Sequence, residues 1–139
     1  MNSRYKINDG DIIYEIIDGE VILLNLTNGN YFSLDHIGLL IWELITRNCQ
    51  LNVLLEAIKQ FDDNFNGITE ASLNELLTQM KQEGLIEPCD GFNAIENEAI
   101  TGDILSRLKD GSVRLEIPVL HAYKDIQEKY AHPAGVKKI

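Results

Sequence analysis

Few residues of this chain are of types that do chemistry, and their spacing argues against most of what they could do. His36, His121 and His132 are scattered through 139 residues. A general base needs a partner that positions it, and none stands at a recognisable spacing from any of the three. Cys49 and Cys89 lie far apart with no histidine at metal-ligand spacing, so both read as reduced thiols rather than as a zinc site or a disulfide framework. The run Asp62-Asp63-Asn64-Phe65-Asn66-Gly67 has the composition of a calcium loop but not its pattern. An EF-hand alternates its ligands and places a glutamate six residues after the glycine, where this chain has Ser72 and Leu73. There is no Gly-x-Ser-x-Gly and no glycine-rich phosphate loop, and no spacing singles out a carboxylate pair. The expectation is a protein that is not an enzyme and needs no metal or cofactor.

What remains is the chemistry of the backbone. Tyr31, Phe32, Ser33 and Leu34 form a short apolar run with neither a charge nor a proline, the two devices that normally blunt an exposed strand. If this run is the edge of a sheet, an extended peptide can add to it as a further strand. Main-chain hydrogen bonds would then give affinity and pockets for alternate side chains would give selectivity. On this expectation Phe32 donates its N–H outward.

The neighbouring sequence provides the elements that would position such an edge. Residues 11–17 are rich in β-branched side chains and end at Asp18-Gly19. Residues 21–26 are apolar at all but one position and end at Thr27-Asn28-Gly29-Asn30. Asp-Gly and Asn-Gly between such runs signal tight hairpins, so the order is strand, turn, strand, turn, strand. In a three-stranded meander the first and third strands are edges, but the first is interrupted by Asp11, Glu15 and Asp18 and the third is not. Asp35 is placed to cap a helix in which Ile37, Leu40, Ile41, Leu44 and Ile45 share a face, widened by Leu39 and by Trp42, which reads as core. A second helix carries Leu51, Leu54, Leu55, Ile58 and Phe61. A third, capped by Thr69, carries Leu73, Leu76, Leu77 and Met80 and ends at Gly84. The fold class is α+β: a winged helix-turn-helix in which a three-stranded antiparallel sheet is followed by a three-helix bundle, with a C-terminal extension. Pro88-Cys89-Asp90-Gly91 divides a domain at 1–90 from a partly ordered extension at 91–139. In the extension Ile95, Ala99, Leu105 and Leu108 suit one face of a helix, residues 113–117 alternate like a strand, and residues 123–130 suit a short helix.

Charge removes further classes. The chain carries −10, all of it in residues 1–90, where fifteen acidic side chains meet five basic ones; residues 91–139 have seven of each. The third helix, which would read DNA in a winged helix-turn-helix, has Lys81 as its single basic residue, so nucleic acid is a poor partner. No stretch approaches the roughly 20 apolar residues that span a bilayer, and the start has no signal-peptide pattern, so a cytoplasmic protein without a membrane partner is expected.

Residues 21–45 resemble the PqqD-like proteins. The hallmark positions are Leu24, Gly29, Tyr31, Phe32, Leu34, Asp35, Gly38, Ile41, Trp42 and Leu44, and the third helix ending in Gly84-Leu85-Ile86 also fits. The likeness covers roughly residues 10–90. In the tail, Pro118, Leu120, Tyr123, Asp125 and Gln127 look like a segment that follows the domain in some of these proteins, and the likeness stops at Lys129. The resemblance implies a non-catalytic chaperone, the recognition element of ribosomally made and post-translationally modified peptides. Such a domain holds the leader of a precursor peptide as an added strand and presents it to a modifying enzyme such as a radical SAM protein, a cyclase or a protease. Carried onto this chain, the resemblance assigns the ladder to Tyr31, Phe32, Ser33 and Leu34, and a bordering groove to Leu73, Leu77, Met80 and Lys81. The alternative is a winged-helix scaffold or regulator that binds another protein. Residues 113–117 could also occupy the same edge in cis, or that of a second copy in a homodimer.

Overall fold

The computed structural model describes residues 4–8, 10–47, 49–90 and 97–123. Among these residues ten elements follow one another: β1 (Tyr5–Ile7), β2 (Ile12–Ile17), β3 (Glu20–Asn25), β4 (Tyr31–Asp35), α1 (Ile37–Thr46), α2 (Asn52–Phe61), α3 (Glu70–Gln82), β5 (Ile86–Pro88), α4 (Asn97–Lys109) and β6 (His121–Tyr123).

Both hairpins form where the turn residues place them. Asp18 and Gly19 take φ of 51° and 80°, the two positive values of a two-residue turn whose twist suits the flanking strands, and Ile17 faces Glu20 across it. Gly29, at φ 75°, closes the second hairpin by donating to the Asn25 carbonyl. Along β3 burial alternates, so Val21, Leu23 and Asn25 face inward, opposite Leu34 and Phe32 of β4.

The sheet is larger than a three-stranded meander. Four antiparallel strands run in the order β2-β3-β4-β6, and β1 pairs with β5 in a separate two-stranded ribbon. The expectation that β4 is an edge is therefore overturned, because β6 lies along it. The expected strand at 113–117 does not form; the pairing residues come from further along the chain. Pro118 has no N–H to give a ladder, which is one reason pairing begins only beyond it.

Inside this sheet sits α1, where eight of ten residues are buried and Trp42 is fully enclosed, edge-on to the Tyr14 ring at 5.3 Å. Its N-cap is His36 rather than Asp35. Asp35 remains the last residue of β4, opposite Glu20, and makes no capping hydrogen bond. Gly38 is required just inside the helix, since a Cβ there would stand 3.0–3.1 Å from the Leu34 side chain.

At α3 the expected cap is present: Thr69 and Ser72 exchange side-chain and backbone hydrogen bonds. The helix ends in a Schellman motif, with Leu85 N–H donating to Met80 O and Gly84 N–H to Lys81 O. Two amides tie this end to the rest of the fold: Asn25 Nδ2 donates to Glu83 O at 3.0 Å and Asn8 Nδ2 to Gly84 O at 2.9 Å. Gly84 has φ 73°, and an added Cβ would lie 3.3 Å from Asn25 Nδ2. Gly84→Ala is therefore expected to destabilise the protein by about 1–2 kcal/mol, the cost of a left-handed non-glycine residue; urea denaturation checks this.

Further along, α4 packs on α2 and adds Ile100, Ile104 and Leu108 to the same core. The buried face is this i, i+4, i+8 row; Ala99 points to solvent and Leu105 is half-buried. Gly102 in mid-helix does not break it. Arg107 Nη1 reaches Glu43 Oε2 of α1 at 2.6 Å, with Asp103 at 3.7 Å, which fixes α4 across α1. Ile95, and the short helix expected at 123–130 apart from Tyr123, lie outside the described residues. Cys49 is buried, and that burial pushes its thiol above the ordinary value, which keeps it protonated and a poor nucleophile.

Candidate functional site

The register of the sheet decides which backbone groups of β4 face outward. Leu26 N–H donates to Asp11 O, so β3 turns its even-numbered residues toward β2; Asn25 N–H donates to Asn30 O, so the odd-numbered ones turn toward β4. Hydrogen-bonded pairs alternate along an antiparallel ladder, which makes Leu23–Phe32 and Val21–Leu34 the bonded pairs between β3 and β4. Phe32 and Leu34 thus spend their backbone groups inward, and Tyr31, Ser33 and Asp35 present theirs to the other side. The outward donor is Ser33, not Phe32, and that expectation is corrected.

On that outward side the register sets Tyr31 opposite Tyr123, Phe32 opposite Ala122 and Ser33 opposite His121. By the same alternation Tyr31–Tyr123 and Ser33–His121 are the bonded pairs. The ladder stops before Asp35. The side chains of Phe32, Ser33 and Leu34 are buried and that of Tyr31 is half-buried, so what this part of β4 offers on its outer side is its main chain.

The side chains expected to line a groove on α3 are elsewhere. Leu73, Leu77 and Met80 are 0–1% exposed and belong to the central core, while Lys81 is exposed with its Nζ 5.8 Å from the centre of the Tyr5 ring of β1. An apolar stripe on a helix serves a core or a groove equally well, and here the core takes it. The face of α3 that borders the tail is the adjacent one. Ser72, Glu75, Leu76 and Gln79 line a shallow pocket whose other wall is Ile117, Pro118 and Val119. These four residues fall at spacings of 3 and 4 along the helix. Three of them are polar, so no apolar stripe marks this face in the sequence.

The path of the tail to this place is fixed at three points. After α4 the chain turns at Gly111 (φ 82°), and Ser112 N–H donates to Asp110 Oδ1 at 2.8 Å, which holds the Asp110 carboxyl below the usual range. Val113 is buried. Arg114 then meets His36: its backbone N–H lies 3.0 Å from Nδ1 and its guanidinium Nη2 3.1 Å from Nε2. A neutral imidazole accepts at one nitrogen only, so either tautomer leaves Arg114 one hydrogen bond to the ring. His36 has φ 48°, a strained value for a residue other than glycine, between β4 and α1.

Among the described residues no group of three His, Cys, Asp or Glu side chains could hold a metal ion, and no helix is long and apolar enough to cross a membrane. The Asp62 carboxylate, in the stretch resembling a calcium loop, accepts from Asn64 N–H at 3.1 Å and so closes a local turn. The family model of coenzyme PQQ synthesis protein D (PqqD) matches residues 20–86, from the first residue of β3 to the first of β5. That span contains β4, α1, α2 and α3, and excludes β1, α4 and β6. Comparison with curated proteins and with solved structures gives no match.

Proposed function

Residues 20–86 belong to the PqqD family, and from that premise we propose that this protein is a non-catalytic chaperone for peptide modification, which binds the leader of a ribosomally made precursor by strand addition. The observation that carries the reading is the outer edge of β4. Its outward groups at Tyr31 and Ser33 take an antiparallel strand, and the segment leading into that strand runs beside α3. An edge that accepts three residues of the protein's own chain has the geometry to accept a leader. Tyr31, Phe32, Ser33 and Leu34 supply the ladder strand, with bonding through Tyr31 and Ser33. Of the α3 residues, Leu73, Leu77 and Met80 act by holding the helix in place, and Lys81 stands at the far end beside β1. In this reading the helices and the β1–β5 ribbon form a winged helix-turn-helix put to use in binding peptide. The acidic surface of residues 1–90 favours a leader with basic residues, and the bound precursor is presented to a separate radical SAM protein, cyclase or protease.

Fluorescence-anisotropy titration with labelled peptides encoded next to this gene tests the reading. Saturable binding of one of them is expected, and failure of all of them to bind the folded protein would contradict it.

A further inference from the structure

We propose that residues 113–123 are an internal ligand of the β4 edge, and that they display the chemistry of the external one: an extended segment with a proline between apolar residues, a leucine two positions later, and then the residues that pair. This rests on the reading of β4 as a strand-addition site. Three observations carry it. First, β6 uses the backbone positions that an added strand would use, Tyr31 and Ser33. Second, Ile117, Pro118 and Val119 stand against Ser72, Glu75, Leu76 and Gln79, and Leu115 and Leu120 pack partly buried against the core. Third, the family match ends at Ile86, so the occupant comes from outside the module it occupies.

The hold is built to be released. Among the described residues three of β6 pair, and toward Pro118 the ladder ends one bonded position short of Asp35, opposite which the register would set Val119. Ile117 and Val119 are 59% and 54% exposed, so the two residues that flank Pro118 bury little of their apolar surface. A longer strand from another molecule that reaches Asp35 gains a bonded pair which the internal segment does not make. The Arg114–His36 contact anchors the segment at its N-terminal end, directly beside β4.

The probe is a synthetic peptide with the sequence of residues 113–123, labelled at its N-terminus and titrated into the full chain. His121→Pro removes an N–H that faces Ser33, and Arg114→Ala removes the guanidinium contact to His36. The expected result is binding at least tenfold tighter to His121→Pro than to the unaltered protein, and roughly threefold tighter to Arg114→Ala. A peptide with proline in place of its own histidine should bind to none of the three. Circular dichroism confirms folding, and should His121→Pro fail to fold, the exposed Arg114→Ala decides alone. Equal binding to the unaltered and altered proteins, or no binding to folded variants, would overturn the proposal.

The same proteins titrated with the neighbouring encoded peptides separate the two readings. If an encoded peptide binds all of them equally, the internal ligand is refuted and the leader reading stands. If only the 113–123 peptide binds the opened site, the internal ligand stands and the leader reading falls.

Discussion

Trp42→Ala is expected to remove about 3–5 kcal/mol of stability, the usual cost of deleting a large enclosed aromatic side chain. Trp42 is fully buried at the centre of α1, edge-on to Tyr14 and in the same cluster as Val21, Leu23 and Phe32 of the sheet. Its indole Nε1 has no hydrogen-bond partner among the described residues, so the loss is one of packing and not of a polar contact. Domains of this size hold about 5–15 kcal/mol in total, which makes the change a large part of the margin. A fall of roughly 10 °C or more in the unfolding midpoint follows. Because Trp42 is the single tryptophan, the transition has to be followed by circular dichroism. A loss under about 1 kcal/mol would mean that α1 is not the centre of the core.

Ser33→Pro is expected to abolish most peptide affinity while the β3–β4 hairpin survives. The Ser33 N–H faces away from β3, so its removal spares the bonds of Phe32 and Leu34 and leaves a carbonyl of the added strand without a donor. An unpaired group in a largely buried ladder costs about 2 kcal/mol, or roughly thirtyfold in affinity. Phe32→Pro has a different outcome. It removes a donor from the inner ladder and should destabilise the whole protein by about 3 kcal/mol or more. Denaturant melts and titrations of both variants distinguish these effects. If Phe32→Pro alone impaired binding and left stability unchanged, the assignment of outward groups would be wrong.

Much of the scaffold was legible because short-range signals specify it. Asp18-Gly19 and Gly29 fix two hairpins through positive φ, Thr69 and Gly84 bracket α3, and the crowded apolar face of residues 37–45 could only be interior. Where pairing is long-range and short in extent, the sequence carries no local mark. The β1–β5 ribbon and β6 have three residues each and join positions some eighty or ninety apart, too few for an alternation to register. The same limit explains the site. The edge at Tyr31 to Leu34 is legible as an uncharged strand, but the alternation that signals a pairing partner lies in residues 113–117 while the ladder lies beyond Pro118. On α3 an apolar position serves a core or a groove alike, and Leu73, Leu77 and Met80 are core while Ser72, Glu75, Leu76 and Gln79 face the tail.

The presence of an occupant also changes how affinity should be interpreted. A leader that competes with the protein's own tail is measured at an affinity reduced by the fraction of time the edge is open, so weak binding to the full chain is compatible with a strong intrinsic site. Tail variants and leader titrations therefore belong together.

The central claim is that a leader peptide adds antiparallel to β4 where β6 now lies, and isotope-edited NMR of the labelled protein with its unlabelled leader tests it most directly. The account predicts cross-strand contacts from the peptide backbone to the Tyr31 and Ser33 amides, with loss of the Tyr31–Tyr123 and Ser33–His121 contacts in the same titration. A peptide that saturates the protein while both of those internal contacts persist would contradict it.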